Sequence, residues 1–283
     1  DGLRLGEAAG AEIDRTTAEP GAWAPVSLVP RPDGSQAHFP HLSERGKPGL
    51  IAVDRDGRRF VDEAGNYHSF MQALFARCAQ RHPGQPVEAW LVCDHRFQRR
   101  FGLGHSKPWP LPIAGSLRSG YLKRARTLPD LALACGIAPQ GLAATVAAFN
   151  EHARAGRDPQ YQRGETPYDR MQGDAEHSGP NPCVAPIEHG PFYAVRVVPG
   201  SLGTFAGLRG DAQGRVLDAR GRPLPGLYAA GNDMASIMGG HYPSGGITLG
   251  PAMTFGYIVA HHAAGQALPE PAALVSPTAS VPA

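Results

Sequence analysis

Apolar positions along the chain alternate between two periods. Small and apolar residues recur at helical spacing from Asp1 to Ile13, with Asp1 placed to cap the start. The spacing predicts an amphipathic helix over Asn66 to Gln80, with Phe70, Leu74, Phe75 and Cys78 on one face. A second runs from Gln140 to Ala155 through Leu142, Val146, Phe149 and Ala153, and Gly156 stops it. Thr127 can cap a shorter helix through Ala134. Strand signals are equally local. Leu50 to Val53, a charged turn at Asp56-Gly57 and a return at Phe60-Val61 read as a hairpin, and Ala89 to Cys93 reads as a buried strand. Asp94-His95-Arg96 then reads as a strand end leading into a helix cap. From Phe192 the texture changes to short strands (Tyr193–Val198, Thr204–Leu208, Arg215–Leu217, Leu227–Ala230) joined by glycine turns, closed by a small-residue helix from Ile247 to Ala264. Residues 14–48, 102–120 and 156–190 read as irregular, and the tail beyond 268 as frayed.

This order predicts an α/β (α+β) protein. Residues 49–190 form a mostly helical lobe inserted between a first segment, 1–48, and a last one, 191–268, followed by a flexible tail, 269–283. Gly190 and Gly200 stand where such a lobe could hinge. The 36 glycines and 28 prolines fit a loop-rich protein, and 42% apolar residues argue against disorder. A net charge of +2, spread along the chain, is no footprint for nucleic acid or a membrane surface. Cys78, Cys93, Cys135 and Cys183 lie far apart without metal-ligand spacing, so they read as reduced, buried thiols and point to the cytoplasm. Met234 to Pro269 carries no Asp, Glu, Lys or Arg, yet polar residues and glycines interrupt it well before a membrane span. Asp54-Arg55-Asp56-Gly57 begins like a calcium loop, but its glycine comes two positions early, and no metal site is expected. No GxGxxG or GxxxxGK[ST] follows a strand.

Chemistry concentrates between Gly226 and Ala252. A strand ends in Gly231, a glycine-rich loop holds His241-Tyr242, and an uncharged helix begins near Gly246. Free backbone N–H groups and the positive end of the helix dipole face whatever lies in that loop, so an anion or an electron-rich ring is stabilised there. PLPGLYAAGNDMASIMGGHYPSGGITLGPAMTFGYIVA resembles the C-terminal flavin-binding signature of the fumarate reductase/succinate dehydrogenase flavoprotein superfamily, and most resembles its 3-ketosteroid dehydrogenase-like branch. DGLRLGEAAGA resembles the helix closing the family's first FAD-domain segment. DGRRFVDEAGNY resembles the start of its capping domain, RGETPYDR a later cap segment, and GLRGDAQGRVLDARGRPLPGLYAAG the return into the FAD domain. The resemblance covers nearly the whole chain and implies FAD as cofactor.

By resemblance, Gly245, Gly246, Ile247, Thr248 and Leu249 lie against the flavin ring, and Gly231 and Asn232 follow the step where relatives contact the ribityl chain or phosphate. Tyr242 and the Gly246 N–H match a pair that grips a substrate carbonyl, His241 a substrate-carboxylate histidine, and Tyr67 the proton-abstracting tyrosine. A phenol plus a backbone amide makes a small oxyanion hole for an enolate. Each has a purely structural reading: a packed tyrosine for Tyr242 and Tyr67, and a loop hydrogen bond for His241 and Asn232. Arg59 and Glu63 read as an ion pair, and Arg31, Arg118 and Arg124 have no assignment.

The chain opens on Asp1, and the family's N-terminal dinucleotide-binding half is not within it. The expectation is the C-terminal part of a longer flavin-dependent oxidoreductase that dehydrogenates, or reduces, a carbon–carbon bond beside a carbonyl. A steroid-like ketone is the leading substrate, and the absent half is the expected partner. Two alternatives stay open: a fumarate- or urocanate-type reductase, and an inactive truncated chain. Arg77 is the first arginine after Glu63 and sits a helix away, which weakens the reductase reading.

Overall fold

The structure, a computed structural model, describes residues 1–269. The expected frayed tail from 270 onward lies outside the described residues. The fold is mixed α/β with antiparallel sheets and divides into two units: Ala22–Leu202, and Asp1–Gly21 together with Gly203 onward.

The central unit is built on a six-stranded sheet. Ala89–Cys93 pairs antiparallel with Leu50–Val53 on one side and with Phe192–Thr204 on the other. Because successive strand residues point to opposite faces, these strands divide their side chains between two cores. Ile51, Val53, Trp90, Val92 and Ala194 pack under the helices Leu128–Cys135 and Pro139–Ala153. Leu50, Ala52, Leu91, Val195 and Val197 pack against Phe70, Met71 and Leu74 of the helix Tyr67–Arg81. Leu50–Val53 and Ala89–Cys93 are therefore apolar at every position, which hides period two from a sequence reading.

Several helix boundaries follow from their caps. The Asn66 side chain accepts from Ser69 N–H at 2.8 Å, Thr127 accepts from Asp130 N–H, and Asp94 accepts from Phe97 N–H to start the helix His95–Phe101. At the other end, Gly136 takes the left-handed conformation after Cys135.

The structure departs from several expectations. The lobe expected at 49–190 does carry more helix than strand, and it contributes Leu50–Val53, Ala89–Cys93 and Lys123–Ala125 to the six-stranded sheet, whose other strands lie outside it. Residues 14–48 are not irregular: Gly21–Pro30 pairs with Gln36–Pro40, and prolines at both strands' ends masked the pattern. The expected limits at 48/49 and 190/191 therefore fall inside the central unit. Phe60-Val61 is no return strand either. The turn forms, with Gly57 N–H donating to Asp54 C=O, but Leu50–Val53 takes Ala89–Cys93 as its partner. Its other edge is satisfied by side chains: Ala52 N–H donates to Glu63 Oε1 at 2.9 Å, and Arg163 Nη1 donates to Leu50 C=O at 2.6 Å. Gly190 and Gly200 are not open joints: a Cβ on Gly200 would come within 2.4 Å of Val26 Cγ1, and one on Gly190 within 2.8 Å of Arg126 O. The stretches 102–120 and 156–190 also gain short helices, Ala114–Arg118 and Pro167–Gln172.

The other unit is smaller. Ile13–Asp14 pairs with Gly207–Leu208, and Arg215–Leu217 with Pro223–Tyr228, around a core of Leu208, Val216, Ala229 and Met234. The expected strand Thr204–Leu208 breaks because Phe205 and Ala206 both donate to Pro20 C=O. The helix Leu249–Ala263 buries none of its residues, and Leu249 and Met253 are 68% and 75% exposed. Among the described residues, no helix is long and apolar enough to cross a membrane.

Candidate functional site

Gly231 opens a short 3-10 turn, Gly231–Asp233, with φ +65°, a conformation favouring glycine; a Cβ there would sit 3.2 Å from Ala252 of the final helix. That close approach places the turn beside the helix start. Thr204, Gly231, Asn232, Ile247, Thr248 and Pro251 line one narrow crevice. Thr204 Oγ1 donates to Asn232 C=O and holds the turn to the strand end.

The helix start is uncapped: Thr248 makes no side-chain cap hydrogen bond. Gly250 N–H donates to Gly246 C=O and Pro251 has no N–H, so what the helix start presents at this rim is the partial positive charge of its dipole. Gly246, with φ +92°, and Gly245 have nothing within 4 Å of where a Cβ would stand. A flat ring can therefore approach the backbone closely. The Tyr242 side chain is buried, its ring 6.4 Å from that of Phe205, which also lines the crevice.

The structure thus brings Gly231, Asn232, Ile247 and Thr248 to one crevice, with Gly245, Gly246 and Leu249 adjoining along the chain. His241 is exposed, and its backbone N–H donates to Met238 C=O. Tyr67 belongs to the central unit, as the first residue of its helix. It is half-buried, and burial pushes its phenol above the usual range, with Tyr168 adding and Arg45 opposing.

Arg59 and Glu63 do pair, at 2.6 Å, but in the interior, joined by Asp158 and Arg163. Burial works to lower the Arg59 guanidinium, yet Glu63 and Asp158 outweigh it and hold it above its usual range. Burial pulls Arg45 down to about 10. Arg163 lies in the RGETPYDR segment, but its partners could not be read from the sequence. A second buried chain was missed entirely. His41 Nδ1 contacts Glu44 Oε1 at 2.6 Å, His41 Nε2 contacts Ser27 Oγ at 2.8 Å, and Ser27 Oγ contacts Tyr121 Oη at 2.7 Å. Three of its four members fall in the stretch read as irregular.

Other chemistries find little support. All four cysteines are free and buried, and burial pushes the thiols of Cys135 and Cys183 up to about 12 and about 11. Asp54, Asp56 and His82 offer ligand atoms within 4.8 Å of one another, but Arg77 and Arg81 already pair the two carboxylates.

Residues 1–249 match the family described as FAD binding domain. The chain belongs to that family. It is 43% identical over 257 residues to a 4-oxocyclohex-2-ene-1-carboxylate 5-dehydrogenase of Sinomonas cyclohexanicum, covering 91% of this chain and 43% of that protein. It is 41% identical over 273 residues to a 3-oxosteroid 1-dehydrogenase of Mycobacterium tuberculosis, covering 94% and 46%. Among solved structures, the 3-ketosteroid Δ1-dehydrogenase of Sterolibacterium denitrificans, in complex with 1,4-androstadiene-3,17-dione, superposes with a TM-score of 0.83 at 37% identity, covering 93% of this chain and 46% of that one. The chain therefore spans under half the length of these relatives. The cofactor of the family is FAD, and the open glycines and uncapped helix start fit its redox-active ring.

Proposed function

We propose that this chain supplies the ring-side flavin contacts and the cap of a cytoplasmic flavin-dependent dehydrogenase. The enzyme introduces a double bond beside the carbonyl of a cyclic ketone. The carrying observation is the open Gly245-Gly246 backbone leading into an uncapped helix, three residues after a buried tyrosine. A bound FAD supplies the hydride acceptor. The Gly246 N–H and the Tyr242 hydroxyl donate to the ketone oxygen and stabilise the negative charge that develops as the α-proton leaves. Tyr67 takes that proton. A phenol raised by burial is a poor base at rest, so its ionisation requires a cation or donor from the assembled enzyme. The partner completing the enzyme is a dinucleotide-binding half.

Two substrate classes follow from the relatives' names: a 3-ketosteroid and a cyclohexanone bearing a carboxylate. The ion pair of half-buried Arg77 with buried Asp54, at 2.6 Å, speaks against a dicarboxylate reductase using Arg77 as its acid. The test is an absorption spectrum after FAD is added and removed by desalting, for this chain and for one extended upstream to the relatives' length. Turnover of both ketone classes with an artificial electron acceptor follows. Retained flavin and desaturation in the extended protein are expected, with Tyr242→Phe lowering kcat about 10²-fold. A colourless extended protein would overturn the reading.

A further inference from the structure

The near-neutral net charge conceals a polarised segment. Between Asp94 and Asp130 the chain carries eight Lys/Arg and no Asp or Glu, so the remainder is net negative and the charges are not evenly spread. This segment also carries the exposed tryptophan of the described residues, Trp109 at 65%, and beside it Leu111 at 55%. Both line a groove of ≈ 380 Å³ in the central unit with His95, Arg99, Lys107 and Arg124. Among the described residues none of these three Lys/Arg side chains has an ion-pair partner, and no carboxylate lines the groove.

We infer that this groove binds an amphipathic carboxylate, an apolar ring or chain bearing one anionic group. Its geometry is prepared in advance. Trp109 N–H donates to Arg99 C=O at 3.0 Å, and Gln98 Nε2 donates to Lys107 C=O at 3.2 Å, so the Lys107–Leu111 loop is pinned to the helix His95–Phe101. The Arg99 guanidinium lies 4.5 Å from the Trp109 ring centroid, which orients its planar fork. Trp109, Leu111 and Ile113 offer an apolar wall, and the three cations offer charge-assisted hydrogen bonds at its margin. A groove of this size suits a small molecule. The inference is independent of the flavin reading, because binding is read without turnover.

The test titrates the 283-residue chain with decanoate below its micelle concentration while tryptophan emission is followed. Saturable quenching that weakens with added salt is expected, with a much weaker response to decan-1-ol. Trp109→Phe should remove the optical signal while equilibrium dialysis still detects binding. Arg99→Gln and Arg124→Gln, both at exposed positions, should each weaken binding about tenfold. Equal responses to decanoate and decan-1-ol would overturn the site, as would unchanged affinity in both arginine variants. A response confined to phosphatidylglycerol vesicles would overturn it in favour of a lipid surface.

Discussion

At the residue scale, buried charge does more in this chain than its composition suggests. Asp62 sits beside the Arg59 cluster, and its side chain accepts from Ala64 N–H at 2.8 Å. Burial, with Asp169 adding, pushes its carboxyl up from 3.8 to about 6, although Arg163 opposes. A folded value above the unfolded one means the native state binds the proton more tightly. Stability contributed in full below about pH 4 is therefore lost as pH rises through about 6. Asp62→Asn keeps the acceptor for Ala64 and removes the titration. Each pKa unit is worth about 1.4 kcal/mol, and screening at a partly exposed group reduces it. The variant should be about 1–2 kcal/mol more stable than the parent at pH 7, and its urea midpoint should lose the slope between pH 4 and 6. An unchanged slope would place the proton on another carboxyl.

At the scale of elements, the sheet edge at Leu50–Val53 is the informative case. The turn at Asp56-Gly57 was legible because glycine and aspartate carry their own local geometry. The strand's partner was not, because pairing is chosen by long-range packing and Ala89–Cys93 lies far along the chain. The helix faces at Phe70, Leu74 and Cys78 were legible, since one repeating face needs only local spacing. Gly21–Pro30 escaped because its prolines contradict a strand pattern that tertiary packing overrides. In the site, the glycine loop and the helix after it could be read, whereas the buried pairs of Arg163 and His41 join residues distant in sequence. The edge also yields a mutational contrast. Arg163→Met strips Leu50, Arg45 and Lys47 carbonyls of their donor and leaves Glu63 half-paired, so it should destabilise the central unit by about 3–5 kcal/mol. Leu91→Ala, at a fully buried position, should lose a comparable 2–5 kcal/mol through its cavity. Chemical denaturation of both variants, with the slope compared to the parent's, measures each effect. An Arg163→Met loss under 1 kcal/mol would mean that water replaces the guanidinium at the edge.

At the scale of the whole molecule, the two units differ in how completely each buries its own elements. The strands Leu50–Val53 and Ala89–Cys93 are buried at every position between two layers of helices. The helix Leu249–Ala263 buries none, although Leu249, Met253 and Tyr257 stand on its surface. Helical stability in proteins comes mainly from a packed apolar face, and isolated helices near 15 residues are marginal in water. Native-state hydrogen exchange should therefore show amides of Leu249–Ala263 opening readily while those of Ala89–Cys93 exchange only through global unfolding. Flavin binding adds a directional test, since a ligand bound only to the folded form protects what it touches. With FAD present, protection should rise at Gly246–Ala252, and the central strands should be unaffected. Equal protection of the helix and the central strands without flavin would mean that the apolar helix is already covered in solution, most simply by a second copy of the chain, and a change of sedimentation coefficient with concentration would then reveal it.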